Sequence, residues 1–197
     1  MSLPLTRRLV LLFGISIASI PLELESAGSI NSNTATINLN ANLATSLTVS
    51  TGSPTINFTL VSGTTSNGSA TAPITTSWVL PSTSATVKLY GYFASATSAL
   101  SDTTSDNIPS SDVFGSVTST GGASASPANT MTAFAQTGPS GFGVAGSSLL
   151  LDTYTISASN FINQSGVTDT LSLQIATPSN QPAGTYTGVI TIEAQAN

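Results

Sequence analysis

The chain has 197 residues, a formal net charge of −5 and charged side chains at 6% of its length, against about 25% in an ordinary globular protein. Arg7, Arg8 and Lys88 are its only basic residues, too few to neutralise a run of phosphates, so nucleic-acid binding is excluded, and the same sign argument excludes attachment to an anionic membrane. It contains neither His nor Cys, which removes Ser-His-Asp and Cys-His nucleophiles, zinc sites built on either ligand, and any disulfide framework.

Solubility therefore rests on hydroxyls and amides, and the Thr- and Val-rich mixture favours strands over helices. In chain order, residues 1–8 form a basic start with Arg7 and Arg8, followed by an apolar run over residues 9–20. That run is shorter than the roughly 20 residues a membrane span needs. Small residues at Ser16 and Ala18, and again at Ser26-Ala27, offer cleavage points. Together these features predict a cleavable signal peptide over residues 1–27. The expected protein is exported by the general secretory route to the cell surface or medium. No membrane insertion is expected after cleavage, and a single domain is expected over residues 28–197.

After a polar spacer, residues 34–43 alternate, with Ile37, Leu39, Ala41 and Leu43 on one side and three asparagines on the other. Period two is the mark of a half-buried strand. Leu47 and Val49, then Ile56, Phe58 and Leu60, continue it over residues 46–50 and 55–61. Residues 71–80 and 85–94, joined by Pro81-Ser82-Thr83-Ser84, are predicted to form a hairpin. Its second strand places Val87, Leu89 and Phe93 on one face and Lys88, Tyr90 and Tyr92 on the other. A polar loop over residues 95–112 precedes a strand at 113–118. A Gly/Ser/Ala-rich connector, a short strand at 130–137 and a glycine-rich stretch follow. Three strands at 149–158, 167–176 and 185–196 complete the chain. About ten short strands separated by turn residues predict an all-β fold, an immunoglobulin-like β-sandwich of antiparallel strands.

The remaining chemistry is sparse. No Gly-x-Ser-x-Gly elbow and no phosphate-binding glycine fingerprint occurs, and the carboxylates lack flanking aromatic subsites, so no enzyme activity and no cofactor are expected. Asp102, Asp106 and Asp112 gather near Asn107 in one loop, but their spacing fits no EF-hand, and a solvated acidic loop is the reading. Lys88 reads as an edge-strand charge that discourages aggregation. Trp78, the single tryptophan, is expected in the core. Tyr90 and Tyr92, opposite the core face, are the candidate contacts for an extracellular glycan.

The closing Pro182-Ala183-Gly184-Thr185-Tyr186-Thr187, followed by Val189-Ile190-Thr191-Ile192, resembles the last strand of bacterial fimbrial-type subunits, in particular spore-coat-U-like pilins. The alternating residues 34–43 are similar to the N-terminal strand that such subunits donate to a neighbour. The resemblance implies an exported structural or adhesive surface protein. Its partners would be copies of itself or other surface subunits, with Ile37, Leu39, Ala41 and Leu43 as the donated face. Within one chain, the same segment reads as the first strand of a self-contained sandwich. The alternative function is a monomeric glycan-binding module.

Overall fold

A computed structural model describes residues 34–52 and 55–197. The predicted signal peptide lies outside the described residues. Residues 1–41 and 42–197 form separate units. In the first, residues 34–41 carry neither helix nor strand, and in the second no strand begins before Ser46. The strand expected over residues 34–43 is therefore not formed, because its backbone has no ladder partner.

The regular structure of residues 42–197 is almost wholly antiparallel strand, joined by long turns and loops. The larger sheet has the order β1 (Ser46–Thr51), β3 (Ala72–Val79), β10 (Ile162–Ala176), β7 (Val113–Ser119), β8 (Thr132–Ala133). A short β2 (Thr65–Asn67) pairs with the C-terminal part of β10, beyond the end of β3. The second sheet has the order β11 (Thr191–Ala196), β4 (Thr86–Tyr92), β9 (Ser148–Thr155). A two-stranded ribbon, β5 (Leu100–Ser101) with β6 (Asn107–Ile108), lies in the loop between β4 and β7.

The two sheets form a sandwich because each presents one apolar side. Ile74, Trp78, Val113, Val117, Leu171 and Ile175 come from the larger sheet, and Val87, Leu89, Leu149, Leu151 and Tyr154 from the smaller; all lie in one buried cluster. Trp78 occupies the core as expected, 5.3 Å from the Tyr154 ring, with its indole N–H donating to the Asn160 carbonyl at 2.8 Å. The fold class is the one the sequence predicts, an immunoglobulin-like all-β sandwich.

Two expectations are corrected. β3 and β4 do not form a hairpin, because the Pro81 turn carries the chain from one sheet to the other. Lys88 is not on an edge strand: β4 is the middle of its sheet, with Lys88 opposite Gln195 on β11 and Thr153 on β9. Both errors have one cause. Alternation identifies a strand and its faces, but adjacency in sequence does not choose the sheet.

The two long sides of the sandwich differ. On one, residues 125–136 hydrogen-bond to both sheets. Ala128 N–H donates to Leu151 O at 2.8 Å and Val117 N–H to Ala128 O at 2.7 Å, while Phe134 N–H reaches Val113 O at 2.9 Å and Gln136 N–H reaches Ser148 O at 2.8 Å. That side is stitched shut. The other side is bounded by the outer strands β1 and β11 with their extensions, residues 55–61 and 185–190, and it is open.

Candidate strand-accepting groove

Residues 55–61 keep the alternation seen in the sequence: Ile56, Phe58 and Leu60 turn inward and pack against the core cluster, while Thr55, Asn57, Thr59 and Val61 face out. The odd-numbered residues use their backbone toward β2. Ser69 N–H donates to Asn57 O at 2.8 Å, Asn57 N–H to Ser69 Oγ at 3.0 Å, and Ser66 Oγ to Thr59 O at 2.8 Å. In an extended chain, alternate residues direct their main-chain groups to opposite edges. The main-chain groups of Ile56, Phe58 and Leu60 have no hydrogen-bond partner among the described residues.

The opposite wall repeats this arrangement. Thr187 exchanges both main-chain bonds with Ser101, each 2.9 Å long. Tyr186, Gly188 and Ile190 therefore direct their main chain the other way and have no backbone partner among the described residues. Gly188 permits the close seat against the ribbon, since a Cβ there would run into the Ala99 carbonyl oxygen. Tyr186 is braced by its own hydroxyl, which donates to Pro182 O at 2.8 Å.

Between the walls lies a groove of about 830 Å³, floored by Phe93, Leu100, Val113, Leu173 and Ile175. A second hollow of about 310 Å³, lined in part by Ile74, Leu171 and Ile192, extends it along β1 and β11. The geometry is a slot with an apolar floor and, on its rims, two rows of N–H and C=O groups unpaired among the described residues. Such edges template the addition of an extended segment, with backbone bonds supplying affinity and alternate side chains filling pockets.

Of the residues singled out from sequence, Ile37, Leu39 and Leu43 are exposed, at 85%, 88% and 69%, and Ala41 is exposed beside them. Tyr90 and Tyr92 occupy the outer face of β4, as expected, but that face is partly covered. Phe142, from the glycine-rich loop, packs edge-on against Tyr90 at 5.3 Å and lies 6.1 Å from Tyr92. Tyr90 is consequently buried, and desolvation raises its pKa. Tyr92 is half-buried and donates to Glu193 Oε2 at 2.9 Å; burial first, then this carboxylate, raises its pKa too. Of the glycan candidates, Tyr92 alone has substantial exposure.

The acidic loop satisfies itself. Asp102 Oδ1 accepts from the N–H groups of Thr104 and Asp106, both at 2.9 Å, and Oδ2 from the Thr104 hydroxyl at 2.6 Å. The Thr104 hydroxyl, more than any other partner, holds the Asp102 carboxyl below its usual range. No group of three or more acidic side chains converges among the described residues.

The groove itself was not read from the sequence. Residues 55–61 and 185–190 alternate like strands in the sequence, and the alternation carries no sign that they lack neighbours. The ladder to β4 begins only at Thr191.

No protein-family model matches the chain, and no curated protein does. Among solved structures, a chain from "Chaperone-tip adhesin complex is vital for synergistic activation of CFA/I fimbriae biogenesis" is similar at 13% identity and a TM-score of 0.41, covering 76% of this chain and 41% of that one. A family 123 glycoside hydrolase from Clostridium perfringens is similar at 18% identity and a TM-score of 0.32, covering 77% of this chain and 25% of its own. This chain thus spans less than half the length of either. Both scores are too low to carry an argument about function.

Proposed function

We propose that this protein is a non-enzymatic structural or adhesive subunit of the bacterial cell surface that assembles by strand pairing. In this reading the groove between residues 55–61 and 185–190 receives residues 34–43 of another copy. The observation that carries it is the pair of extended walls, each bonded on its outer edge and unpaired on the rim, above an apolar floor.

The proposed occupant suits the slot. Residues 34–43 present Ile37, Leu39, Ala41 and Leu43 at period two, which is the spacing an apolar floor between two strands requires. Full burial of each large aliphatic side chain contributes about 1.5–3 kcal/mol. Asn38, Asn40 and Asn42 point the other way and remain compatible with solvent. The pairing joins two different surfaces of the molecule, so it is heterologous and runs head to tail, building a filament where the rotation between copies does not close a ring.

Size-exclusion chromatography and electron microscopy of the protein with and without residues 1–43 test this reading. The longer protein is expected to give a ladder of oligomers or fibres, and the shortened one monomers or an unstable chain. Oligomers of equal size from both would contradict it.

A further inference from the structure

A buried polar cluster lies outside the lining of the groove. Asp152 on β9 and Asp169 on β10 are fully buried and belong to different sheets. Asp152 Oδ1 accepts from the N–H groups of Ser126 at 2.8 Å and Thr153 at 2.6 Å. Asp169 Oδ2 accepts from the Tyr154 hydroxyl. The Ser119 hydroxyl and the Asp152 carboxyl are the other polar neighbours that act on Asp169. One oxygen of each acid, Asp152 Oδ2 and Asp169 Oδ1, is left without a partner.

Two ionised carboxylates can only accept, so neither can meet the need of the other. A second negative charge beside a buried carboxylate is also disfavoured. One proton held between them resolves both problems, turning two unmet acceptors into a single charge-assisted hydrogen bond.

We propose that Asp169 keeps its proton in the folded protein and donates it to the unpartnered oxygen of Asp152, forming an acid-strengthened clasp between the two sheets. Of the groups facing the pair, Tyr154 is the other titratable one. β3, β7 and the connector at residues 120–129 contribute no ionisable residue. Lys88 on β4 lies between Val87 and Leu89, whose side chains point into the core, and so faces away from the pair.

The direction follows from burial. Desolvation, before any other cause, pushes the Asp169 carboxyl up to about 6 from its ordinary 3.8. A group whose folded pKa lies above its unfolded one stabilises fully below the unfolded value. That stabilisation fades as pH rises through the folded value. The composition reinforces it. Residues 42–197 hold Lys88 as their sole basic side chain, so protonating their carboxylates builds almost no positive charge to drive the sheets apart.

Thermal midpoints of the full chain between about pH 4 and pH 8, for wild type and D169N, test the clasp. The wild-type midpoint is expected to fall as pH rises, with the unfolding constant changing by up to about tenfold per pH unit in the window from 3.8 to 6. D169N supplies an amide N–H in place of the donated proton, so its profile over that window is expected to be flat. A wild-type midpoint that is flat or rising, or an undiminished slope in D169N, would overturn the proposal. So would a midpoint at neutral pH that calcium raises and a chelator lowers, since a cation would then occupy the place of the proton. Should D169N not fold, carboxyl carbon-13 spectra of the wild type decide the matter. One buried aspartate protonated up to about pH 6 supports the clasp; both ionised by about pH 4.5 refutes it.

Discussion

Tyr154 donates its phenolic hydrogen to Asp169 Oδ2, and through that bond β9 of the smaller sheet is tied to β10 of the larger. In a sandwich without cysteine this is a polar link across the interior between the two sheets. Y154F keeps the ring beside Trp78 and removes only the donor, leaving the buried Asp169 short of a partner. The expected cost is about 1–3 kcal/mol, the price of an unmet buried group. Urea unfolding with unchanged slope and a lowered midpoint checks it.

Phe134 fills the space between the sheets and is fully buried, 5.2 Å from the Phe93 ring. Room for it exists because Gly91 on β4 and Gly115 on β7 flank it. A Cβ at either glycine would lie 3.0 Å from a Phe134 ring carbon, and one at Gly115 would also lie 3.2 Å from Leu149 Cδ2. G115A is therefore expected to overpack the core and destabilise by about 1–3 kcal/mol. F134A leaves a cavity costing about 3–5 kcal/mol. If the cause is this contact, the two changes combined cost less than their sum, which a double-mutant cycle measures.

The acidic loop gives a pH effect of opposite sign to the buried pair. Asp102 is held below its ordinary 3.8 by the Thr104 hydroxyl and the N–H groups of Asp106 and Thr104. A depressed carboxyl stabilises above its unfolded pKa, and that contribution is lost as pH falls below it. The wild-type midpoint should therefore decline again under strong acid, after peaking near about pH 4. In D102N this acid limb is expected to be shallower, while the limb above pH 4 is unchanged. Thermal scans in acid buffers separate the two limbs.

The wall of the groove rests on Gly188. G188A forces a Cβ against the Ala99 carbonyl oxygen, so the segment around Thr187 must lift from Ser101. Hydrogen exchange at the Thr187 and Ser101 amides is expected to accelerate, with little change in the core strands. Unaltered protection at both amides would contradict the described seating.

The fold was legible where alternation reports burial directly. Ile74 and Trp78 on β3, Val87 and Leu89 on β4, and Leu171, Leu173 and Ile175 on β10 all face inward as their spacing indicates. What the pattern could not carry is partnership. Residues 55–61 and 185–190 alternate as well as any paired strand, yet each lacks a neighbour on one side, because pairing depends on distant segments. Alternation places Tyr90 on the outer face of β4, where it lies. Its burial came from Phe142, some fifty residues later in a loop with no periodic signal. Asp152 and Asp169 were two of a few scattered carboxylates in the sequence; only the stacking of the two sheets brings them together.

The central claim is that residues 34–43 of one copy lie in the groove of another, and the absence of cysteine makes it open to direct measurement. Double variants pairing one cysteine at Ile37, Leu39 or Leu43 with a second at Ile56 or Leu60 would be oxidised and run on a non-reducing gel. The expected result is a ladder of covalent multimers from at least one pair, collapsing to monomer on reduction and missing from the single-cysteine controls. Monomers alone from every pair, or a bridge formed only within one chain, would contradict assembly through this groove.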